Sequence, residues 1–181
     1  MGGLLILKEG FIRWPFEDPM LEHSSLLVHD WFCEAPTCTR SITDMAGQPL
    51  GYVRLEAVED ATWFSWLRKV RLDVYETEDA SHLMSLTRSW VALRAWDVYD
   101  AEDRHVGSIH PKTLMTAERV RVGLLDLESG DQGRINDPSG QTLAEYRKKS
   151  GDALEVTLTG PPDPFLRMLI LGSILTLDPA P

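Results

Sequence analysis

Cysteine is almost absent from this chain, with Cys33 and Cys38 the only two in 181 residues. A small secreted domain stapled by disulfides usually carries more, so the fold is expected to rest on its core. Hydrophobic residues at 43% and charged residues at 25% are a globular composition. A chain of this length can bury about 70% of the surface its unfolded form exposes. Positive charge is scarce too: 18 Lys and Arg stand against 28 Asp and Glu, a formal net charge of −10. Such a surface repels phosphate backbones, which argues against nucleic acid as a partner and against constitutive binding to anionic membranes. The apolar run at residues 4–7 is shorter than a signal core and follows no basic residues. Ile6 stands where a myristoylation signal carries Ser or Thr. The reading is of a cytoplasmic protein, peripheral at a membrane at most.

Signatures of catalysis are missing as well. There is no G-x-S-x-G elbow, P-loop, G-x-G-x-x-G or H-E-x-x-H, and no catalytic residue is assigned. His23, His29, His82, His105 and His110 are scattered, and His82 and His105 fall in predicted turns, where solvent exposure is expected. The stretch from Asp126 through Glu128 to Asp131 has a superficial look of a calcium loop. However, Asp131 stands where the loop needs Gly, and Asp137 where it needs a bidentate Glu. It reads as a solvated acidic loop, so calcium has no supporting motif and no cofactor is expected. Cys33 and Cys38, with His23 and His29 upstream, lie at the edge of zinc spacing without a second ligand pair. They read as small buried thiols.

A repeat is what the sequence does have. Ile42-Thr-Asp44-Met-Ala-Gly47-Gln-Pro-Leu50-Gly51, Val98-Tyr-Asp100-Ala-Glu-Asp103-Arg-His-Val106-Gly107 and Ile135-Asn-Asp137-Pro-Ser-Gly140-Gln-Thr-Leu143-Ala144 share one template. A β-branched residue is followed by Asp two positions on, then by Gly or Asp, an aliphatic residue and a small residue. A looser copy, one residue longer in the turn, runs from Val74 to Leu83. Asp bonds backbone N–H groups two residues on, and Gly or Asp accepts the left-handed conformation. With alternating flanks this describes a β-hairpin. Turn chemistry accounts for these aspartates without a ligand. Glu118–Val122 and Leu154–Leu158 alternate as further strands. Hairpins in series predict a mainly β fold, an antiparallel sheet closed into a barrel or stacked as a sandwich, over residues 1–181 as one domain.

Residues 165–177 are apolar almost throughout. Asp163-Pro164 before them suits a helix start and Asp178-Pro179 a stop. Thirteen residues span about 20 Å as a helix, against about 30 Å of bilayer hydrocarbon, so no transmembrane span is expected. A helix apolar on every face must be buried on every face. Arg167 is expected at the helix start, reaching solvent or pairing with Asp163, with a place in a ligand site as the less favoured reading. The most aromatic stretch holds Trp63, Phe64 and Trp66 beside Arg68 and Lys69. It reads first as an edge strand packed on the core, and is also the place to look for membrane or partner contact.

The segment from Trp96 to Ile109 resembles the recurrent strand-turn-strand unit of the tubby C-terminal-like superfamily, in its phospholipid scramblase and LURP-one-related branch. Asp163-Pro164-Phe165-Leu166-Arg167-Met168-Leu169-Ile170-Leu171-Gly172 is similar to that branch's terminal helix. The likeness spans roughly residues 40–178. It implies a twelve-stranded antiparallel barrel closed around a buried C-terminal helix. For function it implies a non-enzymatic lipid- or protein-binding module. The alternative is scramblase-type lipid translocation at a membrane, and an enzyme without a recognisable motif ranks last. The chain departs from the branch in several places. Residues 160–164 offer one carboxylate, Asp163, where a scramblase-type calcium segment would precede the helix. The strongest basic run for a phosphoinositide is only Arg147-Lys148-Lys149.

Overall fold

The computed structural model describes residues 20–34, 37–57, 70–76, 81–88, 95–129, 131–149 and 153–177. The strands are β1 (Ser25–Val28), β2 (Phe32–Glu34), β3 (Thr37–Thr43), β4 (Pro49–Ala57), β5 (Val70–Glu76), β6 (Ser81–Arg88), β7 (Trp96–Asp100), β8 (His105–His110), β9 (Thr113–Thr116), β10 (Arg121–Ser129), β11 (Gln132–Asn136), β12 (Thr142–Lys149) and β13 (Ala153–Leu158). From β3 to β13 each strand pairs antiparallel with the next. β1 then pairs with β13 along Ser25–Val28 and with β3 through Leu27↔Thr43 and Val28↔Ile42. This second contact closes a ring of twelve strands, with β2 attached to the other half of β3 as a flap. Closure removes the exposed edges that invite aggregation.

The repeat is the turn that joins the strands. Asp44 accepts the N–H groups of Ala46 and Gln48 at 2.8 Å each. Asp137 accepts those of Ser139 and Gln141 at 2.8 Å, and Asp100 those of Glu102 and Arg104 at 3.1 and 2.8 Å. Three residues after each Asp the backbone turns left-handed, at Gly47 (φ +83°), Asp103 (φ +58°) and Gly140 (φ +92°). Just before each Asp the ladder shifts register, at Ile42/Thr43, Val98/Tyr99 and Ile135/Asn136. The looser copy has the same shift at Val74/Tyr75; its turn lies outside the described residues.

The structure adds a copy that the sequence reading passed over. Thr116 takes the place of Asp and accepts the Val120 N–H through its hydroxyl at 3.3 Å. Arg119 takes the left-handed position, with φ +63°. Residues 117–120 are therefore a turn and β10 starts at Arg121, where an unbroken strand over 118–122 was expected. A left-handed non-glycine costs roughly 1–2 kcal/mol, partly offset in a glycine variant by the freer unfolded chain. Arg119→Gly is therefore expected to stabilise by about 0.5 kcal/mol, raising Tm by a degree or two; an unchanged or lower Tm would contradict this account.

The helix α1 (Pro164–Leu175) begins at Asp163, whose carboxylate accepts the Leu166 N–H at 2.9 Å. From Met168 to Leu175 every residue is buried. The strands supply the surrounding wall, with Leu26, Val28, Ile42, Val53, Val74, Met84, Leu86, Val98, Leu114 and Val156 facing inward at or near zero exposure. At Gly172 the helix comes so close to the wall that a Cβ would lie 2.9 Å from Leu86 Cδ2 and 3.0 Å from Ile109 Cδ1. The one hydroxyl on this buried stretch, Ser173, is satisfied by donating to the Ile170 carbonyl at 2.7 Å.

Several expectations need correction. Phe165, counted among the apolar side chains to be buried, is 48% exposed because it precedes the turn of helix that enters the ring. Arg167 reaches neither solvent nor Asp163; it is buried, and its Nη1 donates to the Leu21 carbonyl. His82 is a strand residue of β6, 3.4 Å from Asp73 and edge-on to Tyr75. Cys33 and Cys38 are not buried thiols. They face each other across β2 and β3 as a disulfide, with Cys33 exposed and Cys38 partly so.

Candidate functional site

Chain order sorts the two ends of the ring. Each of the turns 44–48, 101–104, 117–120 and 137–141 leads from an odd-numbered strand to the even-numbered one after it, so all of them lie on one rim. β13 ends on that rim, so α1 enters the ring there. The short 3-10 helix Met20–Glu22, which leads into β1, lies there too.

The carboxylates of the repeat are engaged by their own turns. Asp100 is 3% exposed. Burial works to raise its pKa, but the Arg104 N–H, the Arg104 guanidinium and the Glu102 N–H outweigh that and hold it below the ordinary 3.8. Asp137 is held below the same value by the Ser139 hydroxyl first, then by the backbone N–H groups of its turn. Groups with depressed pKa values stabilise the fold above their unfolded pKa, and that contribution is lost as the pH falls through the folded one. Thermal stability is therefore expected to fall below about pH 4, and to fall less steeply in Asp137→Asn. Melts from pH 7 to 2 test this, and parallel profiles for the two proteins would contradict it.

A cleft of about 470 Å³ opens on this rim between the turn 101–104, the turn 117–120 and the first turn of α1. Val106, Val122, Leu166 and Leu169 supply its apolar lining, with Phe165 beside them. Its ionisable groups are Asp100 with Arg104, which pair at 2.7 Å, together with His105, Glu118 and Asp163. The Glu118 carboxyl is held low by its own N–H, then by the Thr116 hydroxyl and the nearby His105. Three exposed large apolar side chains stand on this rim: Met45 (44%), Val120 (57%) and Phe165 (48%). The same rim carries the carboxylates of Glu22, Asp44, Glu102, Asp103, Glu118, Asp137 and Asp163, together with the exposed Arg104 and Arg119.

Of the residues singled out from sequence, Asp100, His105 and Asp163 come together at this cleft. Trp63, Phe64, Trp66, Arg68 and Lys69 lie outside the described residues. In the run Arg147-Lys148-Lys149, strand alternation parts Lys148 from its neighbours, and Arg147 is bound to Glu155 at 2.9 Å. Asp126 lies in β10 opposite Arg134, whereas Asp137 is on the helix-bearing rim, at the other end of β11 from Asp131. Among the described residues no three His, Cys, Asp or Glu side chains are grouped to hold a metal ion. His29 meets Thr43 Oγ1 at 3.0 Å, and the cysteines near it are bridged. Among the described residues no helix is long and apolar enough to cross a membrane.

Sequence reasoning missed the rim cleft, although a signal exists. At the position after the left-handed residue the three Asp copies carry Gln48, Arg104 and Gln141, all polar, whereas the Thr116 copy carries Val120. An apolar residue at a solvent position of a polar template is conspicuous only once that copy has been recognised.

No family model matches the chain, and no curated protein matches it. Among solved structures, an X-ray structure of a protein from Arabidopsis thaliana is similar. It has a TM-score of 0.55 at 12% identity and covers 84% of this chain and 90% of its own. At that identity the likeness is one of fold.

Proposed function

We propose that this chain is a non-enzymatic binding module of the tubby-like, scramblase and LURP-one-related kind. Its helix-bearing rim docks a segment of a partner protein that carries both apolar and basic side chains. The observation behind this reading is Phe165, half-exposed in the lining of the apolar cleft, with the exposed Val120 in the adjoining turn 117–120 and Met45 on the same rim, where carboxylates outnumber cations. Exposed apolar groups rimmed by polar ones mark interaction surfaces. The negative surround favours a basic segment over an anionic lipid surface. The ring of repeated hairpins around a terminal helix supports the family reading at the level of architecture.

The test uses the full chain, a fluorescein-labelled amphipathic Lys/Leu peptide read by anisotropy, and vesicles containing phosphatidylserine read by flotation. Saturable peptide binding that weakens with added salt is expected, without flotation. The paired substitution Val120→Ser and Phe165→Ser is expected to weaken peptide binding about thirtyfold, because burying each side chain contributes about 1 kcal/mol of apolar contact. Both sites are exposed, so Tm should hold. No saturable binding, or equal binding by the variant, would overturn the reading. Flotation abolished by the same pair would favour the membrane instead, and lipid exchange between leaflets would point to translocation.

A further inference from the structure

The disulfide stands at the end of the ring opposite the rim cleft. β1 runs away from the helix-bearing rim, β2 continues along the edge of β3 beyond it, and β3 returns. β2 pairs with no other described strand, and Phe32, Cys33 and Glu34 are all exposed. With Phe32 at 65% exposure, little apolar burial holds this arm in place. Its fastenings are a three-residue ladder, a 3.4 Å hydrogen bond from the Thr37 hydroxyl to the Glu34 carbonyl, and the bridge from Cys33 to Cys38.

The residues leading into β2 are held differently. The His29 N–H donates to the Ser41 carbonyl at 3.0 Å. Arg40 is buried, its Nε donates to the His29 carbonyl, and its guanidinium lies 5.6 Å from the centre of the Trp31 ring. A buried cation with a charge-assisted hydrogen bond and an aromatic face is a firm anchor. The arm is thus anchored at its base by Arg40 and tied at its tip by the bridge. Ring closure does not depend on the bridge, because β1 is seated on β13 and on Ile42 and Thr43 of β3. The two cysteines are five residues apart, so their bond restricts the hairpin rather than the chain at large.

We infer that the Cys33–Cys38 bridge is a redox-sensitive latch: a dithiol reductant opens it, and β2 then leaves β3 while the ring stays closed. Exchange at a disulfide needs access to a sulfur, and the exposed Cys33 provides it. A thiolate of the reductant bonds to the Cys33 sulfur, the bond to Cys38 breaks, and Cys38 leaves as a thiolate that takes up a proton. The second thiolate of the reductant then displaces Cys33, which is protonated in turn. Two electrons and two protons reach the protein, and the reductant closes to its own disulfide. The backbone groups of Thr37, Cys38 and Thr39 that faced β2 become an open strand edge. The latch is remote from the protein-docking rim and goes beyond that reading.

Graded dithiothreitol applied to the native full chain tests this. The readouts are alkylation followed by mass spectrometry, peptide-level hydrogen exchange and circular dichroism. Two thiols are expected to appear together with the spectrum unchanged. Amide exchange in peptides covering residues 32–39 should rise about tenfold or more, while residues 29–31, β12, β13 and α1 keep their protection. Oxidised glutathione should restore both the bridge and the protection. The double substitution Cys33→Ser and Cys38→Ser should show the open pattern with or without reductant. A bridge that yields only after denaturation would overturn the inference by making it inert. Protection of residues 32–39 that survives reduction would show that β2 holds without the bridge, and a rise in exchange around the whole ring would make the bridge a staple of the entire fold. Thiols that form no bridge under oxidised glutathione would sink it as well. If the double variant does not fold, the reduction series on the unsubstituted chain still decides.

Discussion

Removing residues 164–181 is expected to leave a chain that does not fold. Met168, Leu169, Ile170, Leu171, Ile174 and Leu175 are each 8% exposed or less, and they lie inside the ring. At about 1.5–3 kcal/mol for each buried side chain, they contribute roughly 9–18 kcal/mol as an upper bound. Whole domains have net stabilities of about 5–15 kcal/mol. The loss also has a second part. Twelve strands whose inward faces carry Leu86, Val98, Leu114 and their neighbours would enclose an empty apolar space, or collapse and break their register. Circular dichroism during heating is the measurement. The truncated chain should show no cooperative transition, and a sharp transition with a native-like spectrum would mean that the ring stands without its filling.

Gly107→Ala is expected to be the most damaging of the small substitutions, lowering stability by about 3 kcal/mol and Tm by about 10 °C. A Cβ at Gly107 would lie 2.1 Å from the Met115 carbonyl oxygen and 3.1 Å from the Thr116 Cα. These are backbone atoms of the adjoining strand, so no rotamer change relieves the clash and the β8–β9 ladder must open. Gly51 repeats the situation, with a Cβ position 2.3 Å from the Tyr75 carbonyl oxygen. The equivalent template residue in the third hairpin is Ala144, which already carries a methyl group, fully buried. Ala144→Gly should therefore cost only about 1 kcal/mol, while Gly51→Ala should behave like Gly107→Ala. Thermal melts of the three variants give the ranking. A Gly107→Ala protein within 2 °C of the parent would refute the explanation of the template's last position as a site of crowding by the next strand.

That position shows how far the sequence could be read. The small residue at the end of each copy was legible as a pattern, but its cause lies in the neighbouring strand. The aspartates were legible down to mechanism, because an Asx turn is local chemistry and Asp44, Asp100 and Asp137 bond the N–H groups within their own loops. The Thr116 turn escaped because Thr and Arg119 replace the two residues that usually announce it. Closure of the ring was expected on grounds of edge protection and resemblance, and the β1–β3 contact supplies it. The disulfide was illegible, since two cysteines five apart read equally well as thiols until β2 folds back along β3. The rim cleft and the burial of Arg167 depend on which groups meet across non-adjacent elements, such as Arg167 with Leu21, 146 residues away. Periodicity carries no such information.

The closing contact also bears on the order of events during folding. From β3 to β13 each strand pairs with its successor, so these ladders can grow by local steps with little chain to draw in. β1 is different: it must find Leu154–Thr157 of β13, some 130 residues further along, and Ile42 and Thr43 of β3. Loop-closure entropy makes such a contact late and slow. A meander of hairpins is an open sheet with two edges until β13 and α1 have been made and β1 is seated between its partners. The slow phase of refolding should accordingly belong to β1. During synthesis the growing meander is the form of this chain most exposed to mispairing with another copy.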